Sequence, residues 1–310
     1  MRKNIDIREY TTPRGVLTAI DAGVDASLYL GDCFDLVTKL PDASVDLVVT
    51  SPPYCIGMEY EKTKTVVDFI AAHKKILPEI VRVTKPGGSI CWQVGYHISE
   101  RSAYPLDYAI FGILETEKDV FLRNRIVWSF AHGLHNRSRF SGRHETILWY
   151  TRGNDYHFDL DEVRVPQKYP GKRHYKGPLK GEFSGNPLGK NPGDVWDIPN
   201  VKGNHVEKTG HPCQFPVALV QRLVRALCPA GGVVFDPYMG AASTGVAAVV
   251  EGRRFVGAEL DEEYFELASE RLKETTRGAA GFRPIEKPIF KPDPRSEVAT
   301  VPPHFKIAAE

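Results

Sequence analysis

Residues 233–248, "VVFDPYMGAASTGVAA", run from an apolar stretch through Asp236-Pro237 and a loop of small residues into an Ala- and Val-rich stretch. This pattern predicts a strand, a tight loop and the first turns of a helix. Such a loop lets the backbone approach a ligand closely, and the start of the helix presents N–H groups to it. The pattern is also typical of close strand–helix packing without a ligand, so the loop alone leaves both interpretations open.

The next apolar stretch, "RFVGAEL" (254–260), carries Glu259 close to its end, about 20 residues beyond the small-residue loop. An acid at that spacing in an α/β unit is well placed to bind both hydroxyl groups of a ribose. The loop lacks the lysine of a phosphate-binding P-loop and the full Gly-x-Gly-x-x-Gly pattern, which disfavours ATP and NAD. The loop and the acid together predict a cofactor that contains a nucleoside.

Short apolar stretches and amphipathic stretches alternate along most of the chain. The predicted strands are 27–32, 45–51, 85–95, 124–131, 145–152, 232–236 and 254–260, and the predicted helices are 66–83, 215–228, 243–251 and 262–276. This alternation favours a mainly parallel sheet that is covered by helices on both faces. Ligands bind beyond the carboxyl ends of the strands in such folds, so functional residues are expected there.

The predicted strand 45–51 ends in Ser51-Pro52-Pro53-Tyr54. The prolines stiffen the turn and offer no N–H donors. The Ser51 hydroxyl and the Pro52 carbonyl are therefore two hydrogen-bond acceptors at a strand end, beside the flat ring of Tyr54. Taken alone, the turn could serve only to end the strand.

Composition sets the outer limits of the fold and function. The 310 residues are 42% hydrophobic and 25% charged, which is typical of a globular protein with one elaborated domain or two domains. No run of about 18 apolar residues occurs and the N-terminus lacks the apolar core of a signal peptide, so we expect a cytoplasmic protein without a membrane segment. The five cysteines form no CxxC pair, which disfavours a disulfide framework or a zinc site.

A basic segment interrupts the alternation. Residues 164–208 contain nine Lys or Arg against four acids, with much Gly, Pro and Asn and several aromatic residues. The whole chain has a net charge of only +1, so this surplus is a local feature. The segment predicts either a solvated loop or a nucleic-acid contact surface with phosphate-binding cations and stacking rings.

These motifs resemble those of DNA amino-methyltransferases. "DPYMGAASTG" (236–245) with Glu259 resembles their S-adenosylmethionine-binding motif, and "TSPPY" (50–54) resembles their catalytic motif (Ser/Asp/Asn)-Pro-Pro-(Tyr/Phe). The order of catalytic motif, basic target-recognition segment and cofactor motif is that of the permuted β group. The resemblance implies an α/β fold with a doubly wound, mainly parallel, seven-stranded Rossmann-like methyltransferase sheet and an inserted target-recognition segment.

The resemblance also implies a division of the chain. Its parts are an N-terminal lead-in (1–27), a catalytic part (28–160), the target-recognition segment (161–210), a cofactor-binding part (211–276) and a Pro-rich C-terminal tail (277–310).

The implied reaction is methyl transfer from S-adenosylmethionine to an exocyclic amine of a base flipped out of duplex DNA. Such an amine is a poor nucleophile because its lone pair is delocalised into the ring. Ser51 and the Pro52 carbonyl would accept its N–H bonds and free the lone pair, while Tyr54 holds the flipped base. The implied site residues are catalytic Ser51, Pro52, Pro53 and Tyr54; cofactor-binding Asp32, Cys33, His211, Phe235, Asp236, Pro237, Tyr238, Gly240 and Glu259; and DNA-binding Arg137, Arg139, Arg143, Lys172, Arg173 and Lys176.

The target base has two alternatives. Ser51 at the head of the catalytic motif, and Phe215-Pro216 where adenine enzymes often carry Lys-Pro, favour the N4 amine of cytosine over the N6 amine of adenine. Ala242 stands where the family usually has a second glycine, which raises the alternative of a non-catalytic DNA-binding module. RNA is a further alternative substrate. The expected partners are duplex DNA, a cognate restriction endonuclease and a second copy of the chain.

Two other patterns carry less weight. Cys213 lies in Pro-Cys-Gln, the triplet around the nucleophilic cysteine of cytosine-C5 methyltransferases, but amine methylation requires no thiol. His132, His135 and His144 lie close together without a fourth ligand at the usual spacing, so no metal is expected.

Overall fold

A nine-stranded sheet forms the centre of the protein in the computed structural model, which describes residues 5–54, 65–99, 102–131, 133, 135–289, 293, 295–297 and 300. Cys55, His132 and most of the tail beyond residue 289 lie outside these ranges. The strands are β1 Ile7–Tyr10, β2 Ala26–Leu30, β3 Val45–Thr50, β4 Thr84–Val94, β5 Tyr96–Ser99, β6 Ser102–Pro105, β7 Val120–Ser129, β8 His144–Arg152, β9 Val195–Asp197, β10 Val233–Asp236 and β11 Arg254–Glu259. The helices are α1 Pro13–Asp21, α2 Cys33–Val37, α3 Val66–Val83, α4 Leu106–Leu114, α5 Val217–Leu227, α6 Ser243–Val250 and α7 Glu262–Arg277.

The strand order is β1-β2-β11-β10-β3-β4-β8-β7-β9, and β5 and β6 form a separate hairpin. Strand β8 is antiparallel to β4 and β7, and the other neighbouring pairs of the large sheet are parallel. From the central pair β10 and β3, the chain continues to β11 on one side and to β4 on the other. A crevice therefore opens at the carboxyl ends of β10 and β3, which is where open α/β sheets bind their ligands.

The expected α/β class and mainly parallel sheet are confirmed, but the sheet has nine strands instead of seven. The seven predicted strands are all present, and β1 and β9 are added at the two edges. Strand β1 has only four residues, with its central pair exposed, and β9 has only three, so neither carries a readable apolar pattern. The short β9 also gives regular structure to part of the basic segment.

Two apolar clusters cover the two faces of the sheet. Helices α5, α6 and α7 pack on one face, and helices α1 to α4 pack on the other. Within β3, Leu47 belongs to the first cluster and Val48 to the second, which explains why this strand is apolar almost throughout. Helix α3 spans the predicted residues 66–83, with Thr65 capping its first turn by accepting from the Asp68 N–H.

Ala242 has a left-handed backbone conformation, with φ 54° and ψ 38°, immediately before α6. An L-residue with a Cβ loses about 1 kcal/mol in this conformation, and glycine adopts it without that cost. The methyl group of Ala242 is fully buried in the core. The loop therefore retains the backbone form that favours the glycine usual in the family.

Candidate active site

Asp236 ends β10 and joins the two central strands. Its Oδ1 accepts hydrogen bonds from Thr50 Oγ1 at 2.6 Å and from the Tyr238 N–H at 3.1 Å, and its Oδ2 accepts from Thr244 Oγ1 at 2.7 Å. Burial raises the pKa of Asp236 to about 6, although these hydrogen bonds oppose the shift. The carboxylate thereby links the end of β3, the loop after β10 and the first turn of α6.

The Ser51–Tyr54 turn leaves the sheet directly after Thr50, at the crevice. Ser51 Oγ lies 3.1 Å from Tyr54 Oη, within hydrogen-bonding distance. Pro52 is buried, whereas Ser51, Pro53 and Tyr54 are partly exposed. The structure therefore brings all four residues of the predicted catalytic motif to one strand end, adjacent to the Thr50–Asp236 hydrogen bond.

Sequence reasoning missed Glu145 and Gln93, which lie beside this turn. Glu145 is the second residue of β8, and its Oε2 accepts a hydrogen bond from Tyr54 Oη at 3.4 Å. Gln93 on β4 donates its side-chain N–H to the same oxygen. A methyl group on Gly95 would lie 3.4 Å from the Tyr54 ring and 3.7 Å from Glu145, so glycine leaves room for both.

The carboxyl group of Glu145 is electrostatically unusual. Burial raises its pKa to about 7, although the hydrogen bonds from Tyr54 and Gln93 lower it. Burial and the nearby Glu145 charge raise the pKa of Tyr54 well above its ordinary value, so its hydroxyl stays protonated. An acid followed by the buried stretch 146–151 was the sequence signal that could have identified Glu145.

Glu259 ends β11, and three backbone N–H groups hold its carboxylate. Its Oε2 accepts from Gly240 at 2.9 Å, and its Oε1 accepts from Leu260 at 2.9 Å and from Asp261 at 3.0 Å. Burial raises the pKa of Glu259 against these hydrogen bonds. A carboxylate has about four acceptor positions, so acceptor capacity is left for a hydroxyl donor.

Gly240 and His211 are in close contact. A Cβ on Gly240 would lie 3.0 Å from His211 Nε2, and Gly240 has a φ of 48°, so both space and backbone favour glycine here. The His211 ring also packs against Tyr264, with 4.5 Å between the centroids. Burial lowers the pKa of His211 to about 4, so the ring is neutral at physiological pH.

The other predicted cofactor residues lie around the same strand ends. Asp32 is exposed and caps α2 by accepting from the Phe34 N–H at 2.8 Å. Burial raises the pKa of the Cys33 thiol to about 12, and this thiol is hydrogen-bonded with Tyr238. Phe235 is fully buried in the core and Pro237 is buried. The Phe235 side chain therefore supports the crevice from below.

Two buried charges behind the small-residue loop were also missed. Arg271 Nη1 donates to the Ala241 carbonyl at 2.7 Å and to Ser243 Oγ at 3.1 Å. Arg271 Nη2 reaches Glu207 at 3.4 Å, and both side chains are almost fully buried. The pair holds the loop from the side of α7, although the two residues are 64 positions apart in the chain.

The loop between β7 and β8 carries the first group of predicted DNA contacts. Asn136 Oδ1 accepts from the backbone N–H groups of Ser138 at 2.9 Å and Arg139 at 3.1 Å, which folds the loop into a defined turn. Arg137 and Arg139 are exposed, and Phe140 is 101% exposed. Because β8 begins beside the carboxyl end of β4, this turn lies at the same sheet edge as Ser51.

The other basic residues differ in exposure. Arg143 is partly buried and donates to the Gly142 carbonyl at 2.8 Å, while Lys172 and Lys176 are exposed. Arg173 lies over the Phe183 ring at 4.0 Å and donates to a backbone carbonyl, so it also shapes the basic segment.

The two remaining sequence patterns gain no chemical role. Cys213 is exposed, and its backbone N–H donates to His211 Nδ1 at 3.3 Å. In the part of the chain that the structure describes, no group of three or more His, Cys, Asp or Glu side chains could hold a metal ion. Among the described residues, no helix is both long and apolar enough to cross a membrane.

The doubly wound sheet, the Glu259 strand end and the Ser51–Tyr54 turn at the crevice define a Rossmann-like methyltransferase. Comparison with known families agrees, because the sequence profile of the DNA methylases that modify N6 and N4 amines matches residues 45–270. The chain therefore belongs to the N6/N4 DNA methylase family.

Individual relatives extend this result. The Type II methyltransferase M.BglII of Bacillus subtilis is 46% identical over 246 residues, covering 79% of this chain and 68% of the relative. The DNA adenine methyltransferase YhdJ of Escherichia coli (strain K12) is 30% identical over 250 residues, covering 78% and 81%. The DNA modification methylase TTHA0409 of Thermus thermophilus, solved with S-adenosyl-L-methionine, has a TM-score of 0.59 and 26% identity, covering 82% of this chain and 97% of that one.

Proposed function

We propose that this DNA methyltransferase modifies the N4 amine of cytosine at a specific site in duplex DNA, after that base has been flipped out of the helix. The observation that carries the proposal is the Ser51 hydroxyl at the carboxyl end of β3, bonded to Tyr54 beside the crevice. The serine at the head of the motif and Phe215-Pro216 before α5 support cytosine. The likeness to YhdJ, a DNA adenine methyltransferase, supports adenine N6 as the second candidate.

The crevice fits S-adenosylmethionine, the cofactor of this family. Glu259 offers a carboxylate to ribose hydroxyls, Asp32 offers an exposed carboxylate at the neighbouring strand end, and Gly240 leaves the loop open to close approach. When bound, this cofactor supplies a methyl group made electrophilic by the sulfonium. Asp236, Arg271 and Glu207 keep the loop in place without facing the crevice directly.

The chain's own residues act on the amine. Ser51 Oγ and the Pro52 carbonyl accept its two N–H bonds, which draws the lone pair out of conjugation with the ring. The prolines fix this geometry, so most of the barrier reduction comes from positioning, without a covalent intermediate. Tyr54 holds the flipped base by stacking against its face.

Identification of the modified nucleoside tests the proposal. Unmethylated phage DNA is incubated with purified protein and tritiated S-adenosylmethionine, then digested to nucleosides and separated by mass. N4-methylcytosine is the expected product. N6-methyladenine would establish the second candidate, and transfer to RNA with none to duplex DNA would refute both.

The exposed guanidinium groups at the crevice edge predict a salt effect. We expect Arg137→Ala and Arg139→Ala each to reduce the slope of log affinity against log salt concentration by about 1, the value for one phosphate contact. Arg277→Ala is the matched control, because Arg277 is also exposed but lies in the last turn of α7. Fluorescence anisotropy with labelled duplex DNA measures the slopes, and equal slopes in all variants would contradict the assignment.

Further parts of the proposal follow from the family. We propose that residues 161–210 read the DNA sequence and that a restriction endonuclease of the same specificity accompanies the enzyme, in line with the Type II relatives. Pairing with a second copy of the chain and a cytoplasmic location complete the proposal.

A further inference from the structure

We propose that Glu145, acting through Tyr54, is a positioning residue that turns the acceptor side of Ser51 toward the target amine and receives the proton that this amine loses. The inference rests on the proposed amine methylation and adds a residue outside the Ser51–Tyr54 motif.

Three side chains form a continuous hydrogen-bonded row. Ser51 Oγ lies 3.1 Å from Tyr54 Oη, and Tyr54 Oη lies 3.4 Å from Glu145 Oε2. The far end of the row is fixed, because Gln93 on β4 donates to the same carboxylate oxygen and is almost fully buried. The row therefore joins the end of β3 to the start of β8 across β4.

The ionisation of Glu145 decides the direction of these hydrogen bonds. A carboxylate accepts only, so the single proton of Tyr54 is donated to it and Tyr54 Oη is left to accept from Ser51. The Ser51 proton then points away from the substrate. Both lone pairs of Ser51 Oγ are available to the N–H groups of the amine, as the proposed activation requires.

A protonated Glu145 permits the opposite arrangement. Its O–H can donate to Tyr54, the Tyr54 proton can then turn to Ser51, and the Ser51 proton faces the amine. Two donors then confront each other and the amine is not activated. The carboxylate form of Glu145 is thus the active one.

The same row removes the proton after methyl transfer. The N–H bond of the methylated, positively charged amine breaks and its proton passes to Ser51, as the Ser51 proton passes to Tyr54 and the Tyr54 proton to Glu145. The net result is a neutral methylated amine and a protonated carboxyl group, with Ser51 and Tyr54 restored. No other reactant is consumed.

The surroundings place the titration of Glu145 near neutrality, with its pKa raised to about 7 by burial. Tyr54 and, beyond it, Cys213 are the ionisable groups nearest to it among the residues that the structure describes. On β4 its neighbours are the uncharged Gln93 and Gly95, and on β7 its partner is Trp128. The adjacent His144 is bonded to Tyr96 instead.

Single-turnover methylation, with protein in excess over sites in unmethylated phage DNA, tests the inference. We expect the wild-type rate to rise with pH through about 7 and then level off, as the carboxylate forms. Glu145→Gln keeps the shape but cannot accept a proton. It should remove this pH step and lower the plateau rate by about 100-fold, the lower end of general-base effects.

A second variant guards against misfolding of the first. Tyr54→Phe keeps the ring but breaks the row, so it should cause a similar loss, and the double variant should be no slower than the slower single variant. Calorimetry should give S-adenosylmethionine affinities within about twofold of wild type, since no cofactor contact is removed. A merely structural role would leave the pH step in place.

The outcomes separate the two proposals. If wild-type protein transfers label while both variants keep its rate and its pH profile, the proton relay is refuted and the amine methylation stands. If wild-type protein transfers no label to duplex DNA, the proposed function is refuted, and the relay with it.

Discussion

Ser51→Ala is expected to lower single-turnover methylation by about 100- to 1,000-fold, the usual loss when one oriented hydrogen bond to a reacting group is removed. Alanine cannot accept an N–H bond from the amine, so its lone pair stays delocalised. The contacts of Glu259 and Gly240 are untouched, so calorimetry should show cofactor affinity close to wild type.

Ser44→Ala is the matched control for this variant. Ser44 immediately precedes β3, at the opposite end of the same strand, and its hydroxyl donates to the Pro41 carbonyl at 2.8 Å. Its loss should leave the methylation rate unchanged. A Ser51→Ala protein that methylates as fast as wild type would show that hydrogen bonding by Ser51 does not activate the amine.

Asp236→Ala is expected to have the largest combined effect on folding and cofactor binding. It deletes three hydrogen bonds and leaves the buried hydroxyls of Thr50 and Thr244 without their acceptor. At about 1 kcal/mol for each bond, the free energy of unfolding should fall by about 3 kcal/mol. The loop would lose its anchor to β3, so S-adenosylmethionine affinity should fall by about 100-fold, a loss of about 2.7 kcal/mol.

Asp46→Ala separates the two effects. Asp46 also joins β3 to β10, because its Oδ2 accepts from the Val233 N–H at 2.8 Å, but it does so at the amino ends of the strands. Chemical denaturation should show a loss of stability in both variants, whereas calorimetry should show weakened cofactor binding only for Asp236→Ala. Equal cofactor affinity in both variants would mean that Asp236 does not support the loop.

The seven predicted strands correspond to those in the structure because each is apolar enough to be read from local pattern. The edge strands β1 and β9 escape such a reading, since an edge strand needs fewer apolar residues and a partner that is distant in sequence. Strand β9 pairs with β7, about 70 residues earlier in the chain, and no local pattern reports that pairing.

The site divides in a similar way. Ser51–Tyr54, Asp236 and Glu259 each end an apolar stretch, and the carboxyl end of a strand is a position that can be read from the sequence. Glu145, Gln93, Arg271 and Glu207 lie at strand starts, within strands or on distant elements. Their importance comes from contacts across the sheet, which their neighbours in sequence do not reveal.

The sequence by itself determined the fold class, the order of the two motifs and the positions of the strand ends, because these depend on hydrophobic period and turn chemistry. Only the tertiary structure decided which buried charges meet. The permuted chain brings Thr50 to Asp236 across 186 residues and Tyr54 to Glu145 across 91. Burial then shifts the pKa values of both acids upward, an effect of surroundings that depend on the complete fold.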